Sequence, residues 1–207
     1  LDEDLKMSDI DLLSVGTTSP DQIVPSHAVM VHGLMKESKH LELNSAAGNC
    51  TAGMNALKYG FMSVKMGLVN NAVVAGSEGI AKWLSHDKFE YELDVARKLE
   101  ERPVLAFEKE FLRWMLSDGA GAFLLANEPE EKSKYNFLIE WVDGQSFADN
   151  IETCMYAGAE KGKDGELIPW SNYSSDEWAD RSIFSIKQDI KLLDEHIIDK
   201  GAKSLKT

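Results

Sequence analysis

The order of elements read along this chain predicts an α/β fold. Three observations carry that reading: short apolar runs of strand length, a helical apolar period between them, and a composition that suits a packed core. The 207 residues are 43% apolar and 28% charged, which is ordinary for a globular protein and unlike a disordered, collagen-like or coiled-coil chain. At about 150 residues per domain, the length suits one domain or one and a half.

The elements follow in order. Asp11–Gly16 is an apolar run ending in a polar Thr-Thr-Ser-Pro loop and predicts a buried strand. Pro25-Ser26 opens a helix that Ser26 can cap, with Val29, Met30, Leu34 and Met35 as its apolar stripe. Leu41–Ser45 alternates as a short strand does. The spacing of Met54, Leu57, Phe61, Val64 and Leu68 predicts a helix from about Cys50 to Met66. Ala72–Ser77, Gly119–Ala126 and Phe137–Val142 predict three more strands, and residues 79–117 a charged helical insertion broken at Pro103. Residues 144–182 read as loop. A last helix is predicted from about Ser182 to Ile198, ended by Gly201. Strand, helix, strand, helix, strand is the series of an α/β layer.

Charge and composition exclude several functions. The formal net charge is −13, with 12 basic against 18 acidic side chains in residues 1–127, 5 against 13 in 128–181 and 5 against 4 in 182–207. No segment offers the basic stripe that nucleic acid requires. The mildly basic stretch from Lys187 to Lys206 reads as a solvated helix face. No apolar run of about 18 residues exists to span a membrane. The acidic start, Leu1-Asp-Glu-Asp-Leu-Lys6, does not resemble a signal peptide. The two cysteines, Cys50 and Cys154, form no CxxC or Cys/His cluster, so zinc is not expected and free thiols in a cytoplasmic setting are.

The segment richest in chemistry is Asn44–Lys58, which sets Cys50 where a strand turns into a helix, in a collar of Ala46, Ala47, Gly48, Thr51, Ala52 and Gly53. A thiol at a helix N-terminus faces backbone N–H groups and the positive end of the dipole, which favours a thiolate. The same N–H groups can stabilise an oxyanion on an attached acyl group. The competing reading of Cys50 is a small buried hydrophobe, the common fate of a free cysteine. The small side of the same helix, Gly53, Ala56 and Gly60, predicts tight packing against another helix. Asp118–Ala122 lacks the spacing of a phosphate loop and precedes a strand, so it reads as a close-packed turn and strand rather than a nucleotide site. Cys154 has acidic neighbours that disfavour a thiolate and reads as structural. Asn49-Cys-Thr51 and Asn172-Tyr-Ser174 match the glycosylation pattern, which carries no meaning without secretion. The five tryptophans read as packing residues rather than a stacking platform.

Cys50 with its collar, Ile10–Asp21, Val24-Pro-Ser26 and Ser117–Leu125 together resemble the β-ketoacyl-acyl-carrier-protein synthase III group of thiolase-fold condensing enzymes, in order and spacing as well as in motif. Glu108–Ser117 is similar to a divergent branch, the ketosynthases of dialkylresorcinol and related pigment pathways. The resemblance implies a thiolase-like αβαβα fold, here an incomplete copy. Residues 1–127 would be most of the N-terminal half, with 79–117 as an insertion, and 128–207 the start of the C-terminal half. It implies Cys50 as the nucleophile that holds an acyl group, a malonyl thioester as the second substrate, and a 3-oxoacyl product of fatty acid or related lipid and polyketide synthesis. No metal or redox cofactor is expected. The partners would be acyl-CoA or acyl carrier protein and a second copy of the chain. Val24 resembles the position that reaches across the dimer interface into the partner's acyl pocket, where a β-branched residue leaves room for primers longer than acetyl. The group also uses a histidine and an asparagine or second histidine. His27, His32, His40, His86 and His196 stand in no matching motif, and the matching residues are expected outside Leu1–Thr207. Another thiolase-fold enzyme, such as a thiolase or a hydroxymethylglutaryl-CoA synthase, or a catalytically incompetent piece, are the alternatives.

Overall fold

A computed structural model describes residues 5–38, 40–85, 112, 114–129 and 133–205. The chain divides into two compact units, Leu1–Gly79 with Asp118–Asp143, and Ile80–Ser117 with Gly144–Thr207. Most of the predicted insertion, including His86 and Pro103, lies outside the described residues.

The first unit is built on β1 (Leu12–Gly16), α1 (His27–Leu34), β2 (Glu42–Ala46), α2 (Ala52–Lys65), β3 (Asn71–Glu78) and β4 (Gly119–Ala126). The sheet order is β2-β1-β3-β4. β1 runs parallel to both β2 and β3, and β4 runs antiparallel to β3. Every residue of β1 is buried, as a central strand covered on both faces must be. Its side chains alternate between two apolar clusters. Leu12 packs with Val64, Ala72 and Tyr59 on the α2 face. Leu13 and Val15 pack with Ala28, Val31 and Met35 on the α1 face.

The helices turn different faces inward from those the apolar spacing predicts. α1 buries Ala28, while Val29, Met30 and Leu34 stay exposed. Its N-cap Ser26 makes no side-chain capping bond; instead the Ser45 hydroxyl of β2 accepts from the Ala28 N–H at 2.9 Å. α2 buries Ala52, Ala56, Gly60, Ser63 and Val64; of its predicted stripe Val64 is buried, Leu57 and Phe61 are half-buried and Met54 is exposed, and Leu68 lies beyond the helix. The small face expected to meet another helix meets the sheet. A Cβ on Gly16 would lie 2.1 Å from the Ala52 carbonyl oxygen, and one on Gly60 2.3 Å from Val74 Cγ1. Gly53 and Gly76 approach so closely that a Cβ on either would sit 3.4 or 3.3 Å from the other's Cα. Along the α2 face β1 presents Leu12, Ser14 and Gly16 in turn, against Val64, the Ala56 carbonyl and Ala52. Close approach of many small atoms gives dispersion contacts that a layer of long side chains would hold apart.

β4 forms as predicted, but it is not close-packed: a Cβ on Gly119 or Gly121 would meet nothing within 4 Å. The strand predicted over 137–142 does not form. Phe137 and Leu138 are 85% and 86% exposed, and the segment joins no ladder among the described residues. Alternation sets a preference for extended backbone, but a strand exists only where another strand supplies its hydrogen bonds.

The second unit holds more structure than the loop predicted over 144–182. It contains β5 (Met155–Tyr156), β6 (Ala159–Lys161), β7 (Leu167–Pro169), α3 (Ser175–Asp180), β8 (Lys187–Gln188) and α4 (Ile190–Ser204). β5 pairs with β8 and β6 with β7, both antiparallel. Trp178 meets Trp170 and Phe184 edge-on, at 5.6 and 5.5 Å between ring centroids, and its indole N–H donates to the Trp170 and Tyr173 carbonyls. The last helix starts eight residues later than its apolar spacing predicts. Ser182 takes a left-handed φ of 47°, residues 187–188 are held in β8, and the Asp189 carboxylate caps α4 by accepting from the Leu192 N–H at 3.1 Å. Gly201 lies inside α4 rather than ending it. Lys161 bridges Glu152 at 2.8 Å and Asp189 at 3.5 Å. Burial works against its charge, but these two carboxylates outweigh it and hold the ammonium above its ordinary range.

Candidate active site

The register puts the C-terminal ends of the three parallel strands side by side: Gly16 stands opposite Ala46 on one flank and Gly76 on the other. The chain leaves β1 on one side toward β2, then crosses to the other side for β3. In open α/β sheets such a reversal opens a crevice beyond the strand ends. Three segments meet there: residues 17–19 after β1, the turn 47–51 after β2, and Glu78 at the end of β3.

Cys50 lies in that turn, exposed, one residue before the N-cap Thr51 of α2. This is the strand-to-helix position expected from the sequence. The turn is tight: the Ala52 N–H donates to the Asn49 carbonyl at 3.0 Å, and Gly48 takes a φ of +138°, which favours glycine. The first N–H groups of a helix have no partner within it; here Asn49 takes that of Ala52, which leaves those of Gly53 and Met54 as the donors at the start of α2. The Gly16–Ala52 and Gly53–Gly76 approaches hold the start of the helix directly against the strand ends.

Residues the sequence did not single out complete the arrangement. The Glu78 carboxylate accepts from the N–H groups of Thr18 and Ser19, at 2.8 and 3.1 Å, and from the Ser19 hydroxyl at 2.6 Å. The Thr18 hydroxyl donates to the carbonyls of Gly48 and Asn49, at 3.1 and 2.8 Å. Asn44 donates to the Ser14 hydroxyl, which donates to the Ala56 carbonyl at 2.9 Å and ties α2 to β1 below the turn. The only local signal for Glu78 is a polar residue at a strand end, which is common.

Among the described residues, the histidines are placed elsewhere. His27 Nε2 lies 2.8 Å from the Ser77 hydroxyl and fastens the start of α1 to β3. His32 pairs with Ser38 at 3.0 Å, His40 precedes β2, and His196 lies on α4. None hydrogen-bonds Cys50. Val24 is 80% exposed in the segment before α1, beside Ile23 at 81%, next to a shallow concavity of about 190 Å³ lined by Pro20, His27, Met30, Val31 and Leu34 among others. Cys154 is half-buried in the second unit, where its carbonyl accepts from the Asp189 N–H at 2.7 Å. Among the described residues, no group of three His, Cys, Asp or Glu side chains could hold a metal ion, and no helix is long and apolar enough to cross a membrane.

No family model matches the chain. A β-ketoacyl-[acyl-carrier-protein] synthase III of Clostridium perfringens is 35% identical over 83 residues, 39% of this chain and 25% of that protein. The synthase III of Ehrlichia chaffeensis is 28% identical over 145 residues, 70% of this chain and 38% of that protein. Among solved structures, a tetronic acid condensing enzyme covers 98% of this chain at 16% identity with a TM-score of 0.60, and 51% of that chain is matched. This chain has a thiolase-like fold, and part of it is similar in sequence to synthase III condensing enzymes. A variant of OleA from Xanthomonas campestris shares the fold over 60% of this chain and 35% of its own, at 24% identity and a TM-score of 0.50. The mixed sheet with flanking helices is therefore a thiolase-like α/β fold that covers part of a full-length member. The chain spans 25% and 32% of two curated synthase III relatives from Clostridium perfringens.

Proposed function

We propose that this thiolase-fold chain carries the acyl-accepting nucleophile of a condensing reaction in fatty acid or related lipid and polyketide synthesis. Cys50 Sγ attacks the carbonyl carbon of an acyl thioester. The bond to the carrier sulfur breaks, the acyl group stays on Cys50, and the carrier thiol leaves with the proton. A malonyl thioester then loses carbon dioxide, and its carbanion adds to the acyl-cysteine carbonyl. The bond to Sγ breaks, releasing a 3-oxoacyl thioester and a thiolate that takes a proton from water. The scheme uses no metal or redox cofactor.

One observation carries the reading: an exposed thiol on the turn between β2 and α2, at the ends of parallel strands and beside the first N–H groups of a helix. Those groups suit the oxyanion that forms on acyl transfer. Among the described residues, His27, His32, His40 and His196 stand apart from Cys50, so we read acylation as the step this chain performs and condensation as requiring further residues. Acyl-CoA or acyl carrier protein would deliver the acyl group to a cytoplasmic homodimer. The exposed Ile23 and Val24 beside an apolar concavity suit a dimer contact that opens onto the acyl pocket. Within this reading, residues 1–127 form most of the N-terminal half, and the pigment-pathway branch is the one we favour.

Mass spectrometry after incubation with acyl-CoA thioesters of increasing chain length tests the proposal. The expected result is a single acyl adduct on Cys50, lost in Cys50→Ala, with acyl chains longer than acetyl accepted. No adduct in a folded sample at high acyl-CoA would overturn self-acylation. A strong preference for acetyl would overturn the role given to Val24.

A further inference from the structure

We propose that Glu78 is a positioning residue for the Cys50 turn and acts through the loop of residues 17–19. Its catalytic meaning rests on Cys50 as the nucleophile; its mechanical meaning does not.

The argument follows the hydrogen bonds outward from β3. Glu78 ends that strand with a carboxylate on which two consecutive backbone donors converge, the Thr18 N–H at one oxygen and the Ser19 N–H at the other. The Ser19 hydroxyl donates to the second oxygen as well and accepts from the Gly79 N–H at 2.9 Å, so the loop and the strand end are stitched in both directions. Bonds to an ionised acceptor are stronger than neutral ones, and an acceptor-only group is what two N–H donors and a hydroxyl require. An amide in its place would turn an NH2 group against one of those donors.

With its backbone held this way, Thr18 presents its hydroxyl to the neighbouring turn. That hydroxyl has one proton, which two carbonyls share: Gly48 at 3.1 Å and Asn49 at 2.8 Å. These are the two residues immediately before Cys50. The turn needs such a fastening, because Gly48 sits at a φ of +138° and glycine has wide conformational freedom there. The path from β3 to the thiol thus runs through one carboxylate and one hydroxyl. It brings the rigidity of the parallel sheet to the one exposed loop atom that would have to meet a thioester carbonyl in a set direction.

The test measures single-turnover transfer from a saturating acyl-CoA to Cys50 in the whole chain, for Glu78→Gln, Thr18→Val, the double variant and Thr18→Ser. Each of the first two is expected to slow transfer by about tenfold, on the scale that misplacing a reacting group costs. The acyl-CoA concentration at half-saturation should stay unchanged. The double variant should be no slower than the slower single one, because both break the same path, and Thr18→Ser should restore the rate. Wild-type transfer in Glu78→Gln, or losses that multiply in the double variant, would overturn the proposal. Thr18→Val leaves all three bonds to the carboxylate in place, so it carries the test if Glu78→Gln does not fold. If the wild-type chain forms no adduct, the acyl-cysteine reading falls, and amide exchange at Asn49–Thr51 then judges the clamp. Faster exchange by about tenfold in both variants would support it, and unchanged exchange would overturn it.

Discussion

Two regions of the first unit use apolar and small residues in opposite ways. Where the start of α2 meets the strand ends, Gly16 faces Ala52 and Gly53 faces Gly76, backbone against backbone, and further along the helix Gly60 seats the Val74 side chain. On β4 Phe123, and in the segment after it Phe137, Leu138 and Trp141, display large apolar groups to solvent. By hydrophobicity the second region should be the better buried. The difference teaches that burial here follows complementarity between elements rather than the apolar content of either. A glycine on one element finds a glycine or a buried valine on the other, while Phe137 stacks only on the exposed Tyr135 among the described residues and stays 85% exposed.

Substitution can break this comparison, and the largest effect is expected at Gly16. Gly16→Ala would place a Cβ 2.1 Å from the Ala52 carbonyl oxygen and 2.3 Å from its carbon. Both are backbone atoms, so no rotamer change relieves the clash. A loss of about 3 kcal/mol is expected, at the upper end of overpacking costs, read as a fall in the urea midpoint. It should be accompanied by loss of acyl transfer, because the start of α2 must move.

Gly60→Ala should cost less. Its Cβ would meet Val74 Cγ1 at 2.3 Å, a side chain that can turn, and alanine returns roughly 1 kcal/mol of helix propensity. A net loss of about 1 kcal/mol is expected, and combining it with Val74→Ala should recover part of that loss in a double-mutant cycle. The smallest effect is expected at the exposed side. Phe137→Ser should leave chemical denaturation within about 0.5 kcal/mol of wild type. A clearly larger loss would mean that Phe137 is covered in solution and would erase the contrast.

The legible parts of the fold were those that local pattern specifies. β1, β3, β4 and α2 lie within a residue or two of where the apolar runs place them, because strand and helix periods are properties of the segment itself. The thiol at the start of α2 was legible for the same reason: a strand followed by Ala-Ala-Gly-Asn-Cys and a helical run has few ways to turn. The miss at α4 shows the limit. Ile186 and Ile190 fit a helical period, but residues 187–188 pair with Met155–Tyr156, a partner some thirty residues away. The strand predicted over 137–142 failed for the converse reason, a good pattern without a partner. Glu78 was invisible because its meaning lies in Thr18 and Ser19, sixty and fifty-nine residues distant.

The sequence by itself determined that this is an α/β chain with a cysteine at a strand-to-helix turn, since periodicity, turn chemistry and motif order are local and survive reading in one dimension. Only the tertiary structure decided which face of each helix turned inward. On α2 the small residues Ala52, Ala56 and Gly60 are the ones pressed fully against the sheet, with Val64 of the apolar stripe beside them and Met54 left outside. The glycines of the helix match the glycines at the ends of β1 and β3 closely enough for backbone to meet backbone, and whether two surfaces fit is a property that neither carries alone.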